Sequence, residues 1–89
     1  MSEKIWSDEA WEDYLYWQLQ DKKTLKRINQ LIKDIERNGE LEWIGNPEAL
    51  KGDLQGEFSR RIDEKNRIVY HIENGRIYIA TCRGHYGDK

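Results

Sequence analysis

Two groups suited to moving protons stand among several cations in this sequence. Glu48 lies in the segment Pro47-Glu48-Ala49-Leu50-Lys51, and His85 lies beside Tyr86 in the closing stretch TCRGHYGDK. Lys51, Arg60, Arg61, Arg67 and Arg83 accompany them. A carboxylate and an imidazole can be tuned to exchange protons near neutral pH. Ammonium and guanidinium groups match phosphate oxygens. Metal-free cleavage of RNA needs little more than this set. A base takes the proton of a ribose 2′-OH, and the 2′-oxygen attacks the adjacent phosphate. Cations hold the charge of the five-coordinate phosphorus, and an acid protonates the departing 5′-oxygen.

Each of these residues also has an ordinary role. A loop Glu is usually a solvated surface group. Arg60 and Arg61 suit the protection of a sheet edge. Arg67 is within reach of Asp63 or Glu64 across a turn, and a histidine near a terminus is usually a surface histidine. Other chemistries find less support. His71 and His85 share no ligand spacing with a Cys or carboxylate, so neither a zinc site nor another metal site is expected. Cys82 has no partner for a disulfide and reads as a packed strand residue. No glycine-rich loop joins a strand to a helix, and no nucleotide cofactor is expected.

The elements that must position these groups are legible from the spacing of apolar residues. Lys4-Ile5-Trp6 reads as a short strand. Ser7 is a helix N-cap, with Asp8 and Glu9 in the first turn, where the helix dipole favours negative charge. Ala10, Trp11, Tyr14, Leu15, Trp17 and Leu19 form the apolar arc of a helix over about Asp8–Gln20, with Glu12, Asp13 and Tyr16 outside it. Asp21 caps a second helix. Its stripe is Leu25, Ile28, Leu31, Ile32 and Ile35, and Asn38-Gly39 is the stop. Lys22, Lys26, Lys33 and Arg37 share the opposite face of that helix, a solvated face or a surface for an acidic partner or a large RNA. Glu40 to Gly56 reads as a long loop, of the kind that tends to be functional.

The remainder reads as strands. Phe58–Ile62 alternates, Asp63–Asn66 turns, and Asn74-Gly75 links Ile68–Ile72 to Ile77–Cys82 as a hairpin. That turn sets a register of Glu73 with Arg76, Ile72 with Ile77, His71 with Tyr78 and Tyr70 with Ile79. Continued, it pairs Val69 with Ala80, Ile68 with Thr81 and Arg67 with Cys82. Ile68, Tyr70, Ile72, Ile77 and Ile79 then share a face for the helices to cover. Arg67, Val69, His71, Tyr78, Ala80 and Cys82 share a polar face. The expected fold is a single α+β domain over residues 1–89, with an N-terminal strand and a two-helix hairpin packed on one face of a small antiparallel sheet.

With 89 residues the chain is sized for one small domain, and its four Trp and five Tyr can fill a thin core. The net charge of −2 weighs against a purely electrostatic nucleic-acid binder. The charges are segregated, however: Asp8, Glu9, Glu12, Asp13 and Asp21 precede Lys22, Lys23, Lys26, Arg27, Lys33 and Arg37. Met1-Ser2-Glu3-Lys4 is polar with no apolar region behind it, and no run is long enough to span a bilayer. A cytoplasmic location without membrane association is expected.

The stretches IWSDEAWEDYLYWQLQDKK, INQLIKDI, PEALKGDLQGEFSRRIDEKNRIVY and CRGHY together resemble the YoeB/Txe toxins, within the RelE-like superfamily of bacterial toxin–antitoxin systems. The resemblance runs along nearly the whole chain. It implies a ribosome-dependent mRNA endonuclease that enters the 30S A site, cuts the codon there and halts translation. A cognate YefM/Axe-like antitoxin would block it. The pair would repress its own operon, with operator DNA contacted only through the antitoxin, and a homodimer is compatible with the family. By the same resemblance Glu48 is the general base, and Lys51 and Arg61 contact phosphate. Arg67 stabilises charge, His85 is the general acid, and Tyr86 orients the scissile nucleotide. Gly84 stands where the family commonly has a bulkier residue, and Gly87-Asp88-Lys89 follows the usual His-Tyr end. Two other readings share the fold. One is a non-enzymatic module that blocks a translation factor or gyrase; the other is a ribonuclease that needs no ribosome.

Overall fold

A computed structural model describes residues 3–39 and 47–84. The element order is β1 (Glu3–Trp6), α1 (Asp8–Gln20), α2 (Lys22–Asn38), β2 (Glu48–Ala49), β3 (Phe58–Arg61), β4 (Arg67–Glu73) and β5 (Arg76–Thr81), with a 3-10 turn at Gly52–Leu54. The strands form one sheet in the order β1-β5-β4-β3-β2. Strands β2 to β5 are antiparallel to their neighbours, and β1 joins β5 in parallel, so the sheet as a whole is mixed.

Capping chemistry explains the helix boundaries. Ser7 Oγ accepts from the Ala10 N–H at 3.0 Å. One residue, Asp21, ends α1 and starts α2, its carboxylate accepting from the N–H groups of Lys23 and Thr24. Ile28, Leu31, Ile32 and Ile35 of α2 are buried, as the stripe predicts. They pack with Ala10 and Trp17 of α1 against Ile68, Tyr70, Ile77 and Ile79 of the sheet. Lys22, Lys26, Lys33 and Arg37 are exposed on the far side of α2.

The apolar arc of α1 is narrower than its composition predicts. Leu19 is 86% exposed and Trp11 is 45% exposed. Asp13, expected outside the arc, is buried with Ala10 and Trp17, because its carboxylate accepts the Cys82 N–H at 3.0 Å.

The hairpin register holds from Glu73–Arg76 to Tyr70–Ile79 and then shifts. Val69 pairs with Thr81, so Ala80 is the extra residue of a β-bulge. The expected pairs of Val69 with Ala80, Ile68 with Thr81 and Arg67 with Cys82 are therefore displaced. Ser7 explains the bulge: its N–H donates to Ile79 O at 3.0 Å and its hydroxyl to Ala80 O at 2.7 Å. One inserted residue reverses the alternation beyond it. Cys82, expected on the polar face, is fully buried in the core beneath α1. The backbone N–H of Arg67 bonds instead to Gly84 O at 2.9 Å.

The expected long loop also carries structure. Its segment 40–46 lies outside the described residues, but Glu48 and Ala49 pair with Ser59 and Phe58 as a two-residue edge strand.

Candidate active site on the open sheet face

Register places the candidate residues. Glu48, Ser59 and Val69 lie in one row across β2, β3 and β4, and Arg61 and Arg67 face each other in the next. Side chains opposite one another share a face, so Glu48, Ser59, Arg61 and Arg67 all stand on the side of the sheet away from the helices. Arg67 is 5% exposed. Its Nε donates to Ser59 Oγ at 2.9 Å, and its Nη2 lies 3.3 Å from Glu48 Oε1. The Glu48 side chain remains nearly half exposed. Across from Arg67, Arg61 is exposed. The Glu48 carboxylate offsets the Arg67 charge, and Arg61 in the same row adds an exposed guanidinium suited to a phosphate oxygen. Lys51 is exposed and follows β2 by two residues.

Arg60 is not part of this group. It points to the helix face, where it is fully buried. Its Nε donates to the Tyr70 hydroxyl at 3.0 Å, one Nη to Gly39 O at 2.6 Å, and the other pairs with Asp34. That guanidinium ties α2 to the sheet and is not offered to a phosphate. Alternation already separates the two arginines: Ser59 and Arg61 share one face of β3, and Phe58 and Arg60 share the other. Arg83 is exposed, but its guanidinium lies 3.7 Å from the centre of the Tyr16 ring, against α1. His85 and Tyr86 lie outside the described residues, as does Gly87-Asp88-Lys89.

Ser59 is the residue that composition and spacing do not reveal. A serine in a strand is unremarkable until the register sets it between a carboxylate and a guanidinium. Cys82 has no role in this chemistry. Burial first, and then the nearby Asp13 carboxylate, push its thiol up to about 12, so it stays protonated and is a poor nucleophile.

Further along the same face His71 stacks on Tyr78, with ring centres 4.8 Å apart and planes 4° from parallel. Its Nδ1 lies 2.7 Å from Glu57 Oε2 but off the line of a good hydrogen bond. A cavity of about 240 Å³ beside these rings is lined by residues including Ile5, Trp6, Glu57, His71 and Tyr78, and excludes the Glu48–Arg67 pair. No group of three or more His, Cys, Asp or Glu among the described residues could hold a metal ion. No helix among them is long and apolar enough to cross a membrane.

Comparison with known proteins gives a consistent result. The family described as the YoeB-like toxin of bacterial type II toxin–antitoxin systems matches residues 6–86. Toxin YoeB of Escherichia coli K12 is 52% identical over 82 residues, which cover 92% of this chain and 96% of that protein. The fold superposes on the YoeB-YefM complex from Staphylococcus aureus with a TM-score of 0.91 and 48% identity, covering 97% of this chain and 99% of that one. The YoeB dimer from the same organism gives a TM-score of 0.90 and 49% identity, covering 96% and 98%.

Proposed function

The chain belongs to the YoeB-like toxins of bacterial type II toxin–antitoxin systems, and from that premise we propose that it is a ribosome-dependent mRNA endonuclease cutting the codon in the A site. The observation that carries this reading is the Glu48–Arg67–Ser59 arrangement on the open face, with Arg61 directly opposite Arg67. A carboxylate held beside a guanidinium can take a proton next to a group that stabilises the negative charge its removal creates.

In this mechanism Glu48 accepts the 2′-OH proton of the scissile nucleotide. The 2′-oxygen attacks the adjacent phosphorus, and Arg67, Arg61 and Lys51 hold the phosphoryl oxygens. His85 donates a proton to the 5′-oxygen as its bond to phosphorus breaks, and Tyr86 orients the nucleotide. The products are a 2′,3′-cyclic phosphate and a 5′-hydroxyl, with no metal involved. Arg60 and Arg83, engaged with Asp34 and Tyr16, take no part. The exposed cations Lys22, Lys26, Lys33 and Arg37 supply a surface for rRNA. A YefM/Axe-like antitoxin is the partner, as YefM is in the solved Staphylococcus aureus complex. Toxin and antitoxin together repress their operon, the antitoxin contacting DNA. A homodimer is in keeping with the solved dimer of a relative, and a ribosomal target places the action in the cytoplasm.

The test is cleavage of mRNA on ribosomes programmed with a defined A-site codon, mapped by primer extension. Wild type should cut within that codon and leave naked RNA intact. Glu48→Ala and His85→Ala should each lower the rate by about 10²–10⁴-fold, the usual contribution of an acid or base, while still binding antitoxin. Undiminished cutting by both variants would remove the acid–base assignment. Cuts on naked RNA that ignore the reading frame would replace it with a free ribonuclease.

A further inference from the structure

The chain just before His85 is held by two clamps from different parts of the fold. The first comes from α1. Asp13 Oδ2 accepts the Cys82 N–H at 3.0 Å, and Trp17 Nε1 donates to the Cys82 carbonyl at 2.9 Å. Asp13 and Trp17 are one helical turn apart and so share a face. The second clamp comes from the β3–β4 turn. Asn66 Oδ1 accepts the Gly84 N–H at 2.7 Å, and the Arg67 N–H donates to the Gly84 carbonyl at 2.9 Å. The Asn66 amide is itself oriented, because its Nδ2 donates to both Asp63 oxygens at 3.1 Å.

Both backbone groups of Cys82 and both of Gly84 are thus engaged beyond the end of β5. A strand end with only a packing role does not need a buried carboxylate. Asp13 is buried and its pKa is raised by desolvation above all, so the fold retains that carboxylate at a cost. Gly84 has φ +85, a conformation in which glycine avoids the penalty of a side chain. Its carbonyl rests on the backbone of Arg67, the residue whose side chain meets Glu48.

We propose that Asp13, Trp17 and Asn66 are positioning residues that fix the chain at Cys82 and Gly84, against the Arg67 backbone, and thereby set the point from which it continues to His85 and Tyr86. The assignment rests on the endonuclease reading, since only a reacting pair needs a fixed origin relative to Arg67. None of the three touches substrate. Each acts through the backbone of the segment that carries the general acid.

Single-turnover cleavage on programmed ribosomes tests this with Trp17→Phe, which removes the indole N–H donor together with the five-membered ring that carries it, and Asn66→Ala. Both should lower the maximal rate by about tenfold to a hundredfold, the loss that follows from displacing a reacting group by about an ångström. The ribosome concentration for half-maximal rate, antitoxin affinity and far-ultraviolet dichroism should stay as in wild type. Asp13→Asn, which keeps an acceptor for the Cys82 N–H, should retain most of the rate, while Asp13→Leu should lose it. Amide exchange at Cys82 and Gly84 should quicken in Asp13→Leu and Asn66→Ala respectively, the variants that remove the acceptor of each N–H. Wild-type cleavage rates in both Trp17→Phe and Asn66→Ala, or losses that vanish at lower temperature together with restored folding, would overturn the positioning role and leave the endonuclease standing. A wild-type protein that fails to cut programmed ribosomes would overturn both.

Discussion

Arg60 and Arg61 are adjacent in sequence and opposite in use. Arg60 Nη pairs with Asp34 from a fully buried side chain, while Arg61 is exposed across from Arg67. Arg60→Ala strands a largely buried carboxylate and should destabilise the fold by about 3–5 kcal/mol, as broken buried ion pairs do; urea unfolding reads this directly. Arg61→Ala should change stability by no more than about 0.5 kcal/mol, as surface substitutions do, while slowing cleavage. Equal unfolding midpoints for the two variants would contradict the division. Asp13 gives a second test, in pH. Desolvation raises its folded pKa above the ordinary 3.8, against the opposing Cys82 hydrogen bond. The folded state therefore binds that proton more tightly than the unfolded chain. Its contribution to stability is complete below 3.8 and is lost as pH rises through the folded value. Relative to Asp13→Asn, wild type should lose melting temperature as pH rises from about 3 toward neutrality, measured by calorimetry. A difference that does not change with pH would show that the carboxylate is not held as described. Residue types alone marked Glu48 as a proton-transfer candidate and Lys51, Arg60, Arg61, Arg67 and Arg83 alike as cations suited to phosphate; only the family resemblance singled out Glu48, Lys51, Arg61 and Arg67. Ser59, Asp13 and Asn66 were not visible as such, because what distinguishes them is a partner that only the fold brings near.

The elements divide along the same line. Helix boundaries were legible because Ser7, Asp21 and Gly39 each act within a few residues of their own position. The hairpin was legible near its turn because Asn74 and Gly75 adopt φ 54 and 75, which few residue pairs accept. The register failed at Ala80 because a bulge leaves no mark in a strand-like sequence. What holds it is Ser7, 73 residues away, whose hydroxyl donates to Ala80 O. That same Ser7 caps α1, so one side chain fixes both the start of the helix and the shift of β5. Ser7→Ala should cost about 1–2 kcal/mol, toward the upper part of the range for a lost N-cap. It should also disturb amide resonances from Ile79 to Cys82, at the far end of the sequence. A loss confined to α1 resonances would separate the cap from the bulge. The sheet is mixed because β1 joins β5 in parallel, and α1, immediately after β1, shares its core with Ile77 and Ile79.

At the scale of the molecule the proposed function requires that a protein of net charge −2 engage a ribosome. Its charges are distributed by face rather than averaged. The open side of the sheet presents Arg61, with the buried Arg67 opposite it and Lys51 at the edge, and α2 presents Lys22, Lys26, Lys33 and Arg37 outward. The acidic side chains of α1, among them Asp8, Glu9 and Glu12, are exposed on another element. Phosphate contacts act over about one Debye length, roughly 8 Å at physiological salt, so local rows matter more than the total. If α2 faces rRNA, Lys26→Glu with Lys33→Glu should weaken ribosome association and make it less dependent on salt. Each phosphate contact removed lowers the slope of log affinity against log salt by about 0.7–0.9, so the double variant should lose between about one and two units of slope. Stability in urea should be unaffected, since neither lysine is buried. Sedimentation of toxin with ribosomes across a salt series measures the slope. An unchanged slope with unchanged affinity would remove α2 from the ribosome contact and leave the open face to supply it alone.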